Sequence, residues 1–325
     1  MGKDIVIVDL INEKGIETQI SDAAKIIGLT NDLRNAKKIF IKPNLTNPFY
    51  KKGVTTRKSF IETLVNAFFT INSKLKIYIG EGDGGYNAFS MTDALREMDF
   101  YSITKNNPNV VIVNLSKIPT QSVRLEAKSK PYYIDLPRLF FDEIDFSISC
   151  PLPKVHCMTK LTLSYKNQWG CVPDTMRLKN HYVFDEIISQ ISEKLKFKYA
   201  FLDGKYGLNN NGPMIGDPIE LNWFVASNSL GAFDMVVSGM MGFQWKKIRH
   251  LTKAESYGYL PLPENIEIIG NLNVLKTRFV LKRSLWNYPA LAAFNSKYLT
   301  HLFYISKLSK PLHYIMYKFR QKPIE

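Results

Sequence analysis

The chain has 325 residues, 45% hydrophobic and 13% aromatic, and a net charge of +14. That composition can bury a core and excludes a disordered class. No apolar run approaches the roughly 18 residues that cross a bilayer, no secretory pattern follows Met1, and three cysteines build no disulfide framework, so the cytoplasm is the expected compartment.

In chain order, Ile5–Val8 is a short β-branched run and reads as a strand. Lys38–Lys42 reads as a second strand, ended by Pro43-Asn44. Phe60, Leu64, Ala67 and Phe68 recur at helical spacing within Arg57–Ile71. Lys76–Ile79 is a strand closed by the glycine-rich stretch Gly80–Gly85, and Thr92–Met98 is a short helix. Val110–Val113 and Phe146–Cys150 complete five strands in the first 150 residues. Val183–Leu195 is an amphipathic helix, Tyr199–Leu202 a strand closed by Asp203-Gly204, Gly231–Met241 a buried helix and Ile266–Ile269 a late strand.

Strand and helix in alternation predict an α/β fold, a largely parallel sheet covered by helices. The expected organisation is one α/β unit over residues 1–270, with a subdivision near residue 150 as one option, and an extension over 271–325. Sites in such sheets form at the carboxyl ends of strands. Lys42-Pro43-Asn44, Glu81-Gly82-Asp83 and Lys154-Val155-His156 all follow predicted strands, which brings three polar clusters to one rim.

The charge is uneven. From Asn271 onward there are ten Lys or Arg against the single acid Glu325. They are interleaved with Trp286, Tyr288, Phe294, Tyr298, Phe303, Tyr314 and Phe319. Two readings stand. The segment lies in an anionic membrane interface, at the inner surface of the cell membrane, or it is a helical pair packed across the domain with solvated lysines. Nucleic acid is the weakest partner, because no recognition module is visible.

Chemistry concentrates between Lys154 and His181. Two of the five histidines fall there, and histidine suits proton transfer near neutral pH. Lys154 and Lys166 are suited to a carboxylate, a phosphate or a developing enolate. His156, His181, Lys154 and Lys166 are therefore the candidate catalytic residues. Lys42, Asn44, Thr55, Thr56, Asn167, Asp203 and Asn211 are candidates for substrate binding. Glu81, Asp83 and His181 are candidates for a divalent metal, nickel or magnesium. Cys150, Cys157 and Cys171 cannot complete a four-cysteine iron–sulfur site. No Walker-type, zinc-protease or nucleophile-elbow motif is present.

The chain resembles the uncharacterised family called domain of unknown function 362. The matching pieces are Ile41-Lys42-Pro43-Asn44-Leu45, Thr55-Thr56, Gly80-Glu81-Gly82, Pro153-Lys154-Val155-His156, Thr162–Asn167 with Gly170, His181, Asp203-Gly204, Gly212-Pro213 with Gly216, and Ala232-Phe233-Asp234. Many relatives carry an appended cluster-binding segment, which this chain lacks. More distantly, His156, Lys166 ten positions on and His181 are similar to the pattern of lactate racemase. That resemblance implies a lysine tethering a nickel-pincer nucleotide, a later histidine on nickel and histidines exchanging the substrate proton. Tyr165-Lys166-Asn167 departs from the small residues found there in that family, and Glu81-Gly82-Asp83 stands where it has a histidine.

Three functions follow as expectations. The first is an enzyme on a small anionic molecule, of the racemase or epimerase type. The second is a membrane-surface protein binding a lipid or glycan precursor. The third is a metal- or iron–sulfur-related protein of another activity. A homodimer sharing the site is compatible with each.

Overall fold

A computed structural model describes residues 3–285 and 287–317. Met1, Gly2 and Trp286 lie outside the described residues, as do Lys318, Phe319, Arg320, Lys322 and Glu325 of the basic segment.

The strands in chain order are β1 (Asp4–Leu10), β2 (Lys38–Pro43), β3 (Lys76–Glu81), β4 (Val110–Asn114), β5 (Thr120–Ala127), β6 (Lys130–Pro137), β7 (Phe146–Cys150), β8 (Lys154–His156), β9 (Lys160–Thr162), β10 (Phe197–Asn209), β11 (Asp217–Ser227) and β12 (Ile266–Gly270). Eight lie side by side in the order β12-β1-β11-β10-β7-β2-β3-β4. β8 pairs with β10 and β9, and β5 and β6 form a separate hairpin. Only β11 runs against its neighbours along this path; every other adjacent pair is parallel. The fold is α/β, with a mostly parallel sheet. Strands from before and after Pro151 alternate in it, so both halves share one framework.

Side chains alternate between the two faces, as strand geometry requires. Ile39, Ile41, Ile77 and Ile79 enter one core, whereas Phe40 and Tyr78 enter the other. The helices Ile16–Ile26, Lys58–Ile71 and Met91–Glu97 cover the first face. The helices Phe184–Lys194 and Leu230–Met240 and the β5–β6 hairpin cover the second. Lys128 and Ser129 take positive φ at the hairpin turn, the handedness that suits a tight two-residue connection. Gln190 then clasps the hairpin, accepting from Glu126 N at 2.8 Å and donating to Glu126 O at 2.7 Å.

One expected boundary is corrected. Asp203-Gly204 does not close its strand: β10 continues to Asn209 through an irregularity between Gly204 and Tyr206. The continuation pairs with β11 and carries β8 on its other edge. Only residues 210–216 connect β10 to β11.

Among the described residues the last segment forms the short helix Leu272–Leu275 and then the helices Asn287–Asn295, Lys297–Tyr304 and Ser309–Tyr317. Asn287–Asn295 and Lys297–Tyr304 pack over the turn Arg177–Val183. No helix among the described residues is long and apolar enough to cross a membrane.

Along the sheet, β3 and β4 follow β2 to one side, while β7 and β10 lie on its other side. The winding therefore reverses between β2 and β7. A crevice opens at the carboxyl ends of such strands, and ligands bind there in α/β sheets.

Candidate functional site

The crevice between β2 and β7 is filled by a buried polar network. Lys42, at the end of β2, donates to Pro43 O at 2.6 Å and pairs with the Glu81 carboxylate at the end of β3. Glu81 also accepts from Leu45 N at 3.2 Å. Asn167 donates to Lys42 O at 3.0 Å and to Ser149 Oγ at 3.1 Å, and accepts from Asn44 Nδ2 at 2.9 Å. Thr56 accepts from Asn44 N at 2.8 Å and donates to Cys150 O at 2.9 Å, joining the ends of β2 and β7. Every one of these side chains is buried.

Lys154 is fully buried in the same network. Its ammonium donates to Asn44 Oδ1 at 2.6 Å, Val54 O at 2.9 Å and Thr46 Oγ1 at 3.0 Å. Burial pushes its pKa well down, and Lys166 and Lys42 add to the fall while Glu81 opposes it. The cradle suits either charge state, because the Thr46 hydroxyl can accept from an ammonium or donate to a neutral amine. These contacts make Lys42, Asn44, Lys154 and Asn167 a self-satisfied scaffold.

Two glycines let the scaffold close. Gly82 N donates to Gly170 O at 2.9 Å, which ties the β3 loop to the turn after Asn167. A Cβ on Gly170 would stand 1.7 Å from Glu81 Oε1, so no larger residue fits beside that carboxylate. The family signatures around Glu81 and Gly170 are thus two halves of one contact.

Beyond the scaffold lies a second group. The segment Ser164–Cys171 is anchored at its start by buried Asp234, which accepts from Ser164 N at 2.7 Å, Ser164 Oγ at 2.6 Å and Tyr165 N at 3.1 Å. Burial pushes Asp234 up to about 7, against those three donors. The anchored turn carries Lys166, whose amine makes no hydrogen bond or ion pair among the described residues. It lies 5.5 Å above the Phe184 ring. Burial lowers its pKa to about 8; Arg177 adds to the fall, and Cys157 and Glu81 oppose it.

Three imidazoles feel the charge of that amine. Burial, then Lys166, holds His181 and His250 near 3, with Arg177 adding to His181. Burial, then Lys166 and Lys154, pushes His156 well below its ordinary value. Met158 N at 3.1 Å and Thr159 N at 3.4 Å donate to His156 Nδ1, so that nitrogen is bare and Nε2 carries the proton. His181 stacks between Trp169 at 5.8 Å and Phe294 at 4.8 Å. Phe294 belongs to the helix Asn287–Asn295, so the segment beyond residue 270 supplies a wall of the site. Arg283 Nε extends this contact, donating to Cys157 O at 2.7 Å.

Four buried polar atoms on and around this turn have no hydrogen-bond partner among the described residues: Gln168 Nε2, Trp169 Nε1, Thr162 Oγ1 and His250 Nδ1. Unpaired buried polar atoms are costly and rare, and two of these lie on the turn that carries the uncommitted amine, which makes that turn the candidate for holding a polar guest. A surface groove of about 470 Å³ lined by Asp9, Asn12, Gln19 and Phe224 shares no residue with either group.

The remaining expected residues lie elsewhere. Thr55 closes a local turn with Lys51 N at 2.9 Å. Asp203 holds Arg57, accepting from its N at 2.7 Å and Nε at 2.8 Å. Asn211 sits in the 210–216 loop, with no hydrogen bond to either group. Asp83 accepts from Met91 N at 2.7 Å and Asn114 Nδ2 at 2.8 Å and so starts the helix Met91–Glu97. Glu81 is committed to Lys42, and His181 faces aromatic rings. Among the described residues no three His, Cys, Asp or Glu side chains gather to hold a metal ion. Trp169, Gln168, Arg177, Phe184 and His250 were not expected. The Trp and Gln stood in the chemistry-rich window, but His250 and Phe184 reach the site only through tertiary packing.

The solved lactate racemase apoprotein from Thermoanaerobacterium thermosaccharolyticum is similar to this chain at 11% identity and a TM-score of 0.46, over 74% of this chain and 57% of that one. A Thermotoga maritima crystal structure is similar at 14% identity and a TM-score of 0.35, over 62% and 52%. A thylakoid-associated protein of Synechocystis sp. is 29% identical over 126 residues, 37% of this chain; the chain spans 39% of the length of that relative. The family model described as Domain of unknown function (DUF362) matches residues 39–239. That stretch contains the whole buried scaffold, Lys166 and both His156 and His181, and the chain belongs to this family.

Proposed function

We propose that this chain is an enzyme that moves a proton on a small anionic substrate, in a reaction of the racemase or epimerase type. The observation that carries the reading is the uncommitted Lys166 amine, 5.5 Å above the Phe184 ring on a turn held by Asp234. As an ammonium below about pH 8, Lys166 binds the substrate's negative charge. Gln168 Nε2 and Trp169 Nε1, on the turn that carries Lys166, are neutral donors without a partner among the described residues. A bound anion favours the charged form of a nearby imidazole, so one of His156 and His181 acts as imidazolium and returns a proton while the other, neutral, takes one. Two such groups on opposite sides of one carbon suffice for inversion, each contributing on the order of 10²–10⁴-fold.

The donor set bears on a metal as well. Among the described residues no three His, Cys, Asp or Glu side chains gather, which does not make a protein-only cage for nickel or magnesium. It suits a metal carried by a group attached to the Lys166 amine, with His181 as one protein ligand. Such a group, when bound, would supply Lewis acidity to the reacting centre.

The test is solvent exchange. The purified chain is incubated in D₂O with a panel of 2-hydroxy and 2-amino carboxylates, and deuterium at C2 is read by mass spectrometry. Exchange is expected for one class, with a loss on the order of 10²-fold or more in His156→Gln and His181→Gln. An intact-mass measurement reads any adduct on Lys166. Exchange that persists unchanged in Lys166→Met would overturn the assignment, as would its absence across the panel.

A further inference from the structure

The segment that roofs the site has an outer face nothing in the fold covers. Between Glu267 and Glu325 the chain holds no Asp or Glu. In that stretch Leu285 is 84% exposed, Tyr298 86% and Leu308 57%, with Tyr288 and Ile305 also outward. Lys282, Lys297, Lys307 and Lys310 are exposed among them, and no ion pair among the described residues involves any of the four. In the helix Lys297–Tyr304, buried Thr300 faces inward while Lys297, Tyr298 and His301 face out. Large exposed apolar side chains and ammonium groups without an ion pair among the described residues are thus interleaved along a stretch that holds no acid of its own.

We propose that these helices are a docking surface for a lipid bilayer carrying anionic headgroups. The apolar side chains enter the headgroup boundary and the lysines meet the negative surface; each kind alone binds weakly. A partner protein with an acidic face would satisfy the lysines but not five scattered, highly exposed apolar side chains. Docking also has an address. Phe294 on the first of these helices packs against His181 at 4.8 Å, and Thr300 on the second is buried. Tyr288 and Tyr298 face out from the same two helices, so a bilayer bound there lies on the far side of the helices that contact His181. The docking itself does not depend on the proton-transfer reading.

The experiment is co-sedimentation of the full chain with vesicles of phosphatidylcholine, with and without admixed phosphatidylglycerol. Binding is expected only with the anionic lipid, and it falls as salt rises. The triple variant Lys297→Gln/Lys307→Gln/Lys310→Gln is expected to bind on the order of 100-fold more weakly. The variant Leu285→Ser/Tyr298→Ser/Leu308→Ser is expected to lose binding even at low salt. All these side chains are exposed, so unchanged circular dichroism and melting temperature confirm that the variants fold. Equal binding to neutral vesicles, or binding that both variants keep, overturns the proposal. So does a dimer that the serine variant makes monomeric without any vesicle binding, which would assign the face to a second copy. Failure of the D₂O exchange test leaves this outcome untouched, because its readout is sedimentation.

Discussion

Gly170 shows how one missing side chain holds a site together. Its hydrogen stands where a methyl would strike the Glu81 carboxylate, and Glu81 is the partner of buried Lys42. Gly170→Ala is expected to displace that carboxylate and leave an ammonium buried without its counter-charge. Breaking a buried pair in this way costs about 3–5 kcal/mol, and chemical denaturation of the variant measures it. Glu81→Gln should fall in the same range, since it removes the charge while keeping the shape. A variant as stable as the parent would mean that the loop relaxes freely and that the pair is not held by the glycine contact.

The helix Leu230–Met240 acts on the site through one carboxylate. Asp234 receives two backbone N–H groups and a hydroxyl from the start of the Lys166 turn, so the turn is positioned from outside. Asp234→Ala is expected to orphan those donors, at about 1–3 kcal/mol each at most. Proton exchange by the enzyme should drop through kcat, and Asp234→Asn should recover part of it. The strands of the parallel core were legible as short β-branched apolar runs, and the helices from their 3.6 period. Asn44, Glu81 and Lys154 were legible as residues following strands. Their role was not: the sequence puts Lys154 and Lys166 on equal terms, and only packing shows the first bonded three times and the second free. The β5–β6 hairpin and long β11 escaped because their patterns are half polar. His250 escaped because nothing local connects it to a turn eighty residues earlier.

At the scale of the whole molecule, the buried imidazoles set the response to acid. His181 and His250 are held near 3, against an ordinary value of 6.5. A depressed folded value means that stability is complete above about pH 6.5 and drains as the pH falls toward 3. Each buried ring should cost on the order of 2–3 kcal/mol by pH 4. Urea unfolding midpoints across pH 4–7 measure this slope. His250→Phe is expected to flatten it with little loss at pH 7, because His250 Nδ1 has no bond to forfeit and the ring already packs on Phe184. A slope unchanged in that variant would place the acid-sensitive groups elsewhere.

The wall that Phe294 gives to His181 bears on how this protein should be cut. Shortening the chain at residue 270 would look like a clean way to separate a lipid-seeking appendage from a catalytic body. It would instead unroof the imidazole, free the Cys157 carbonyl from Arg283 and strip Val280 N from Asn209, a 2.7 Å tie. An inactive truncate would then report an opened cavity rather than a missing anchor, so substitutions on the outward side chains are the scissors to use.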